Sequence, residues 1–169
     1  MATNEVKFSL KEWENWLGEL KFEKAATRGL LSGAMAALPI LHTATDNAPP
    51  ASRNGSIGAV NTGRFRRSWK SSRIERGVAI VNNATYAPVI EGGRRPGAKM
   101  PPQKPLEGWA RKKLGVPSKE AKNAAFLMAR AIKRRGLKAR NVLKSSLPAI
   151  RKVVIREVMH ELRRELKTP

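Results

Sequence analysis

A 17-residue segment from Gly92 to Gly108 constrains the fold of this chain more than any other feature. It holds four prolines, four glycines and four cationic residues. Proline removes a backbone hydrogen-bond donor and glycine costs backbone entropy, so neither residue favours regular helix or sheet. Apolar segments flank it on both sides, which indicates that it interrupts a folded body. Because long loops inside compact domains are usually functional, we predict a basic loop over residues 92–108 that contacts a negatively charged partner or a neighbouring subunit.

Charge is the second constraint, because it is both large and unevenly placed. The 169 residues contain 34 Lys and Arg against 13 Asp and Glu, a net charge of +21. Residues 1–48 have a net charge of −1, residues 49–93 of +5 and residues 94–169 of +17. A charge kept only for solubility would not be segregated in this way. Such a field favours nucleic acid, an anionic membrane surface or an acidic protein as the partner.

Residues that usually perform catalysis or bind metals are sparse. The chain has no cysteine, which excludes a disulfide framework and thiolate metal sites. His42 and His160 are far apart in sequence, and neither lies at a metal-binding spacing. The carboxylates near the loop, Glu75, Glu91 and Glu107, are too few to indicate an acid–base pair. We therefore expect a protein without enzymatic activity, cofactor or metal.

The hydropathy pattern gives no indication of a membrane protein. Residues 1–8 are polar and mixed in charge, unlike a signal peptide. The longest uncharged run, residues 29–45, contains Gly33, Pro39 and His42, and it is too short and too polar for a membrane span. We expect a soluble protein.

The N-terminal third has the periodicity of a long helix. Residues 9–12 form a capping-box pattern, with Ser9 at the N-cap and Glu12 at the third helical position. Apolar residues then recur every three or four positions as far as Leu38. Pro39 is expected to kink or end this helix.

The period changes to two between Arg64 and Val81. Phe65 and Trp69 fall on one face of a predicted β-hairpin whose turn is expected at residues 75–77. Residues 86–91, Tyr-Ala-Pro-Val-Ile-Glu, are expected to form a third strand.

Three helices are predicted after the loop, which makes the fold class α+β: a long N-terminal helix packed on a small antiparallel sheet, with a helical insertion and a C-terminal helix. The first covers residues 106–114, and the second runs from an N-cap at Ser118 to a C-terminal Gly136. The third begins near Pro148, and its apolar stripe is Ile150, Val154, Val158, Leu162 and Leu166. We expect this stripe to pack on the sheet, or alternatively to form a helix–helix contact between subunits.

Three basic clusters contain much of the excess charge: Arg64/Arg66/Arg67/Lys70, Arg94/Arg95/Lys99/Lys104, and Arg130/Lys133/Arg134/Arg135/Lys138/Arg140. Each could simply be a solvated face. However, a net charge of +17 over the last 76 residues is unfavourable without a partner, so we favour contact with a polyanion. The residues around Gly136 lack a recognition helix with side chains at base-reading spacing. Contact with the phosphate backbone alone would be sufficient.

Four motifs in a fixed order resemble a known family. They are residues 62–68, Thr-Gly-Arg-Phe-Arg-Arg-Ser; residues 86–93, Tyr-Ala-Pro-Val-Ile-Glu-Gly-Gly, with the Pro-rich loop after them; residues 105–115; and residues 125–136. Together they resemble the tail-completion or neck proteins of long-tailed double-stranded DNA bacteriophages, and residues 105–115 and 125–136 resemble a helical insertion found in one branch. Many members carry an Arg-Pro-Phe-Leu-type strand after the position of Gly136, where this chain has residues 138–143, Lys-Ala-Arg-Asn-Val-Leu.

The resemblance implies a minor structural protein of the virion that forms a homo-oligomeric ring, expected to be a hexamer, where DNA leaves the capsid. The whole chain, residues 1–169, would be one tail-completion domain, with residues 106–136 as the helical insertion. It implies contacts with the tail terminator, tail tube or head connector proteins and non-specific contact with genomic DNA. No membrane contact is implied, and assembly would take place in the host cytoplasm.

We expect the partner-facing or DNA-facing side chains to be those of the basic clusters. They are Arg64, Arg66, Arg67, Arg94, Arg95, Lys99, Lys104, Arg134 and Arg135. The alternative is a free-standing DNA-binding protein that does not read sequence.

Overall fold

The computed structural model describes residues 5–9, 23–49, 62–75 and 77–166. The strands are β1 (Glu5–Ser9), β2 (Trp69–Ile74) and β3 (Gly77–Asn82), and the helices are α1 (Glu23–Asp46), α2 (Arg64–Arg67), α3 (Ala87–Gly92), α4 (Gln103–Leu114), α5 (Ala121–Arg135) and α6 (Val142–Leu166). The chain divides into two compact units. The main unit comprises Met1–Pro88 and Asn141–Pro169, and the inserted unit comprises Val89–Arg140.

The sheet of the main unit is antiparallel, and β3 lies between β1 and β2. β2 pairs with β3 from Trp69 opposite Asn82 to Ile74 opposite Gly77, which confirms the predicted hairpin and its turn. β1 pairs with the other edge of β3, with Ser9 opposite Gly77. Val78, Ala79 and Ile80 are all buried, so the central strand is covered on both faces. The fold is α+β as predicted, because the long helix α1 packs on this sheet.

Helices α1 and α6 form the largest packed seam of the main unit. Their backbones approach closely because α1 places Gly29 and Gly33 on its buried face. A Cβ atom built on Gly29 would lie 2.5 Å from Cα of Val158, and one on Gly33 would lie 2.7 Å from Cα of Val154. The expected apolar stripe of α6 is buried from Ile150 to Leu162, whereas Leu166 is exposed. The stripe therefore packs on α1, and the prediction that it packs on the sheet is wrong.

Both long helices continue through a proline. Pro39 was expected to kink or end α1; the helix runs on to Asp46, so the predicted end is wrong, and α6 contains Pro148 in its seventh position. A helical proline leaves the carbonyl four residues earlier without its N–H donor. Here Met35 and Lys144, the residues that own those carbonyls, lie on exposed faces, as do the prolines. Water can hydrate these carbonyls, which explains why the helices tolerate both prolines.

A hydrogen-bond chain joins α1 to the hairpin inside the core. The Trp69 indole Nε1 donates to Oγ1 of Thr45 at 3.2 Å, and that hydroxyl donates to the carbonyl of Leu41 at 2.7 Å. The Phe65 and Trp69 rings meet edge to face with centroids 5.7 Å apart. The buried hydroxyl thus satisfies the indole N–H, which buried tryptophans require.

Two segments that were predicted as strand are helical. Residues 64–67 form the single turn α2, in which the Ser68 N–H donates to the carbonyl of Arg64 at 2.9 Å. Phe65 and Trp69 are both buried, and their spacing of four residues suits a helical turn as well as an alternating strand. Residues 87–92 form α3, where Pro88 lies in the first turn. Proline is tolerated there but would interrupt a strand ladder, so the expected third strand at 86–91 is wrong.

The inserted unit is built from α4 and α5, which pack against each other. Ala110 of α4 and Ala121, Ala125 and Ala129 of α5 form its buried face. α5 begins at Ala121 after Glu120, so the predicted N-cap at Ser118 is wrong, whereas Gly136 is the C-cap as predicted. The predicted helix at 106–114 is confirmed and starts at Gln103, with Pro105 in its first turn. The loop is therefore shorter than the predicted 92–108.

The predicted capping box at Ser9–Glu12 and the helix that follows it to Phe22 lie outside the described residues, apart from Ser9 itself, which ends β1. β1 was not predicted. The segment after Gly136 has no strand ladder, and α6 begins directly at Val142.

Candidate polyanion-binding surface

Backbone hydrogen bonds tie the basic loop to the end of α5. Arg94 and Leu137 form an antiparallel bridge, with N–H to carbonyl distances of 2.8 and 2.9 Å. The Gly97 N–H donates to the carbonyl of Lys133 at 2.7 Å, and the Arg140 N–H donates to that of Ile90 at 2.9 Å. These bonds join the backbone of residues 93–97 to the end of α5 and the residues after it.

Two glycines allow this close approach. Gly93 and Gly136 have φ values of 71° and 72°, a region that L side chains rarely adopt. A Cβ on Gly93 would lie 2.5 Å from the carbonyl oxygen of Leu137, and one on Gly136 would overlap the carbonyl oxygen of Arg94. Any side chain at either position would push the loop away from the helix.

The bridge brings together two basic clusters that are about 40 residues apart in sequence. We name the result the loop–helix surface: Arg94, Arg95, Lys99, Lys133, Arg134, Arg135 and Lys138. All of its members except Arg94 are exposed. Lys133, Arg134 and Arg135 occupy the last turn of α5, where the negative end of the helix dipole stabilises cations. The loop adds Arg95, which lies between the bonded residues Arg94 and Gly97, and Lys99, two residues after Gly97.

Arg94 is the exception, because it is half-buried and its Nε atom is enclosed without a hydrogen-bond partner in the described part of the chain. Its backbone forms the bridge to Leu137, and the expected partner-facing role of its side chain stays a prediction. Burial lowers the pKa of the Arg140 guanidinium, in the same unit, below its usual value. Leu137 and Gly97 were not among the expected site residues, although glycines at 93, 97 and 136 favour tight turns there.

Lys104 does not belong to the loop–helix surface. It is exposed in the first turn of α4, where the helix dipole disfavours a cation. A nearby anion would therefore be favoured at this helix end, and the expected partner-facing role of Lys104 stays a prediction.

The cluster of Arg64, Arg66 and Arg67 lies on α2 in the main unit, and its charge is partly neutralised. Arg66 forms an ion pair with Asp46 at 3.3 Å. Arg67 Nη2 donates to the carbonyl of Thr62 at 3.0 Å. All three side chains are exposed, so the patch is available but weaker than its sequence indicates.

Charge is concentrated on the inserted unit. Its 52 residues contain 15 Lys and Arg against three Asp and Glu, a net charge of +12. Of the three carboxylates Glu91 is buried, which leaves Glu107 and Glu120 to offset the surface cations. In the main unit carboxylates are paired across the seam: Arg28 of α1 binds Glu161 and Glu165 of α6, and these bonds raise its pKa.

The other surface features of the described residues are less suited to binding a charged partner than the loop–helix surface. A shallow groove of about 490 Å³ lies between α1 and α6 and is lined by small, uncharged residues such as Ala44 and Ser146. The described part of the chain holds no group of three His, Asp or Glu placed to bind a metal ion. No helix within it combines the length and apolarity that crossing a membrane requires.

Comparison with protein-family models, with curated proteins and with solved structures finds no match to this chain. The likeness to phage tail-completion proteins therefore rests on the sequence motifs alone.

Proposed function

We propose that this chain is a structural protein of the phage neck or tail-completion ring, and that its loop–helix surface contacts DNA or acidic neck proteins in the assembled virion. The observation that supports this most is the +12 charge of the inserted unit, with two basic clusters joined on one side by the Arg94–Leu137 bridge. A channel that passes DNA needs a positive or neutral lining.

The bonded loop also supports an assembly role. Its backbone is already fixed beside α5 by hydrogen bonds at Arg94 and Gly97, so the backbone of this segment loses little entropy when its side chains meet a partner. The contact needs no base reading, since phosphates alone attract such a surface. The ring itself, expected to be a hexamer, and its contacts with the tail terminator, tail tube or head connector come from the family resemblance.

Particles from a mutant that lacks this protein test the proposal. We expect electron micrographs to show filled heads and finished tails that fail to join, or tails with aberrant ends. Complementation with the wild-type chain should restore joining and place the protein in purified particles. Normal infectious particles without the protein would contradict the proposal.

The second candidate, a free-standing DNA-binding protein, is favoured by the same concentration of charge. Such a protein should bind duplex DNA at nanomolar concentration in physiological salt, with a steep dependence of affinity on salt. A ring component should bind weakly as a single subunit and be found in particles. Nanomolar binding together with absence from particles would favour this candidate.

A further inference from the structure

A second group of cations lies where α4 joins α5, at the opposite end of α5 from the loop–helix surface. Residues 115–120 connect the two helices, which pack against each other. A short connection places consecutive helices antiparallel, so the last turn of α4 lies beside the first turn of α5. We name the exposed cations of this end the turn surface: Arg111, Lys112, Lys113, Lys119 and Lys122.

Charge along α5 and its flanks is confined to the two ends of the helix. Residues 111–122 contain five Lys and Arg against one Glu, and residues 130–138 contain five against none. The residues between them, 123–129, carry no charge, although Phe126 and Leu127 are 42% and 55% exposed. Cations kept only for solubility would be expected beside these apolar side chains. The pattern therefore indicates two separate contacts with an anionic partner.

The turn surface is not neutralised within the described part of the chain. Three of its cations occupy the last turn of α4, where the helix dipole stabilises them, whereas Lys122 lies in the first turn of α5, where the dipole disfavours a cation. Among the described residues, none of the five cations forms an ion pair with a carboxylate. An anionic partner at this end would offset their mutual repulsion.

The spacing of the two ends matches a dimension of duplex DNA. Lys122 and Arg130 border the uncharged stretch, and a separation of eight residues in a helix corresponds to about 12 Å along its axis. The major groove of B-DNA is about 12 Å wide, whereas the minor groove is about 6 Å wide. When α5 lies across the major groove, its two basic ends therefore reach the phosphates on both edges, and its uncharged residues lie over the groove.

Other anionic partners fit this arrangement less well. A single strand or an acidic polypeptide has no second line of charge at a fixed distance from the first. A second copy of the inserted unit would bring two charges of +12 together. Helices that lie on membranes separate charged from apolar residues around the helix, whereas these cations are separated along it.

We propose that the inserted unit binds duplex DNA across the major groove, with the turn surface at the phosphates of one strand and the loop–helix surface at those of the other. The contact uses phosphates and reads no base sequence. The proposal rests on the proposed function, which supplies double-stranded DNA as the partner, and it adds the groove and the second set of cations.

The test is fluorescence anisotropy of the purified full chain with a short labelled duplex, over a salt series that starts at low concentration because a single subunit should bind weakly. Arg111→Gln/Lys112→Gln/Lys113→Gln should reduce the slope of log K against log salt by about 2.7, or 0.9 per lost phosphate contact. The matched control, Lys144→Gln/Arg151→Gln/Lys152→Gln, removes the same charge from exposed positions on α6 and should leave the slope unchanged. Combining the turn-surface set with Arg95→Gln/Arg134→Gln/Arg135→Gln should reduce the slope by about 5.4, and the wild-type chain should bind one duplex per subunit.

The choice of groove is tested with modified DNA. Bulky substituents at C5 of the pyrimidines project into the major groove and should weaken binding by the wild-type chain, whereas a ligand that fills the minor groove should not. Unaffected binding to the C5-substituted duplex, displacement by the minor-groove ligand, an unchanged slope in the turn-surface variant, or two duplexes bound per subunit would overturn the proposal.

Oligoglutamate and phosphatidylserine vesicles distinguish the other partners. If the turn-surface substitutions weakened binding to either probe as much as they weaken duplex binding, the proposal would be overturned in favour of an acidic protein or a membrane. These binding results are separate from the proposed function, which fails if the protein is missing from functional particles.

Discussion

Gly29 allows the close contact of α1 and α6, so replacing it with alanine tests the packing of the main unit. The new methyl carbon would lie 2.5 Å from Cα and 3.0 Å from N of Val158, and 3.1 Å from the carbonyl oxygen of Glu157. Carbon atoms at optimal separation are about 3.5–4.0 Å apart. All three atoms are backbone, so no side-chain rotation relieves the overlap, and α6 must move by about 1 Å, the difference between these distances.

Two opposing terms set the size of the effect. Overpacking of this kind costs about 1–3 kcal/mol, and a backbone clash belongs at the upper end of that range. Replacing glycine with alanine inside a helix raises the free energy of unfolding by about 0.8–1 kcal/mol. We therefore expect Gly29→Ala to lower the free energy of unfolding by about 1–2 kcal/mol. For a chain of this length the loss corresponds to a melting temperature lower by about 2–8 °C.

Urea and thermal unfolding followed by circular dichroism at the helical band measure the change. Gly108→Ala is the matched control: it is the same substitution within α4, but nothing lies within 4 Å of the added methyl group. It should be neutral or stabilising by up to about 1 kcal/mol. If Gly29→Ala behaved like Gly108→Ala, the close approach of the two helices would be refuted.

Three further changes test other parts of the structure. Thr45→Val should lower the free energy of unfolding by about 1–3 kcal/mol in urea titrations, because the buried Trp69 indole N–H loses its acceptor. Thr45→Ser should keep the acceptor and the stability, and equal stability of the two variants would contradict that bond. The hydrogen bond from Arg156 lowers the pKa of Glu157, so this carboxylate should stabilise the fold above its ordinary pKa of 4.5 and lose that contribution as the pH falls below it. The melting temperature of Glu157→Gln should therefore depend less on acid pH than that of the wild type, and an unchanged dependence would be evidence against the pair. Gly93→Ala should loosen the bridge and speed hydrogen exchange at Leu137, while Gly92→Ala, with open space around it, should not; unchanged exchange in both would exclude the tight approach.

Local sequence rules predicted the elements that depend on local interactions. The hairpin turn after Ile74, the C-cap at Gly136 and the apolar stripe of α6 all follow from neighbouring residues, and the structure has them. The same rules were wrong for residues 64–67 and 86–91, because short apolar patterns there suit either a strand or a helical turn.

Long-range features were harder to predict. β1 contains alternating polar residues and becomes a strand only by pairing with β3, about 70 residues away. The bridge between Arg94 and Leu137 likewise joins distant segments, so the sequence showed two basic clusters but not their union. The apolar stripe of α6 packs on α1 because Gly29 and Gly33 let the two backbones approach closely. The sequence shows the two glycines but not which helix packs against them.

The central claim is that the cations of the loop–helix surface, and not the total charge, contact a polyanion. We propose to compare the salt dependence of duplex binding for Arg95→Gln/Arg134→Gln/Arg135→Gln with that for Lys144→Gln/Arg151→Gln/Lys152→Gln. The second set removes the same charge from exposed positions on α6. The first set should reduce the slope of log K against log salt by about 2.7, or 0.9 per lost phosphate contact, and the second should leave it unchanged. Equal reductions in both sets would contradict the claim.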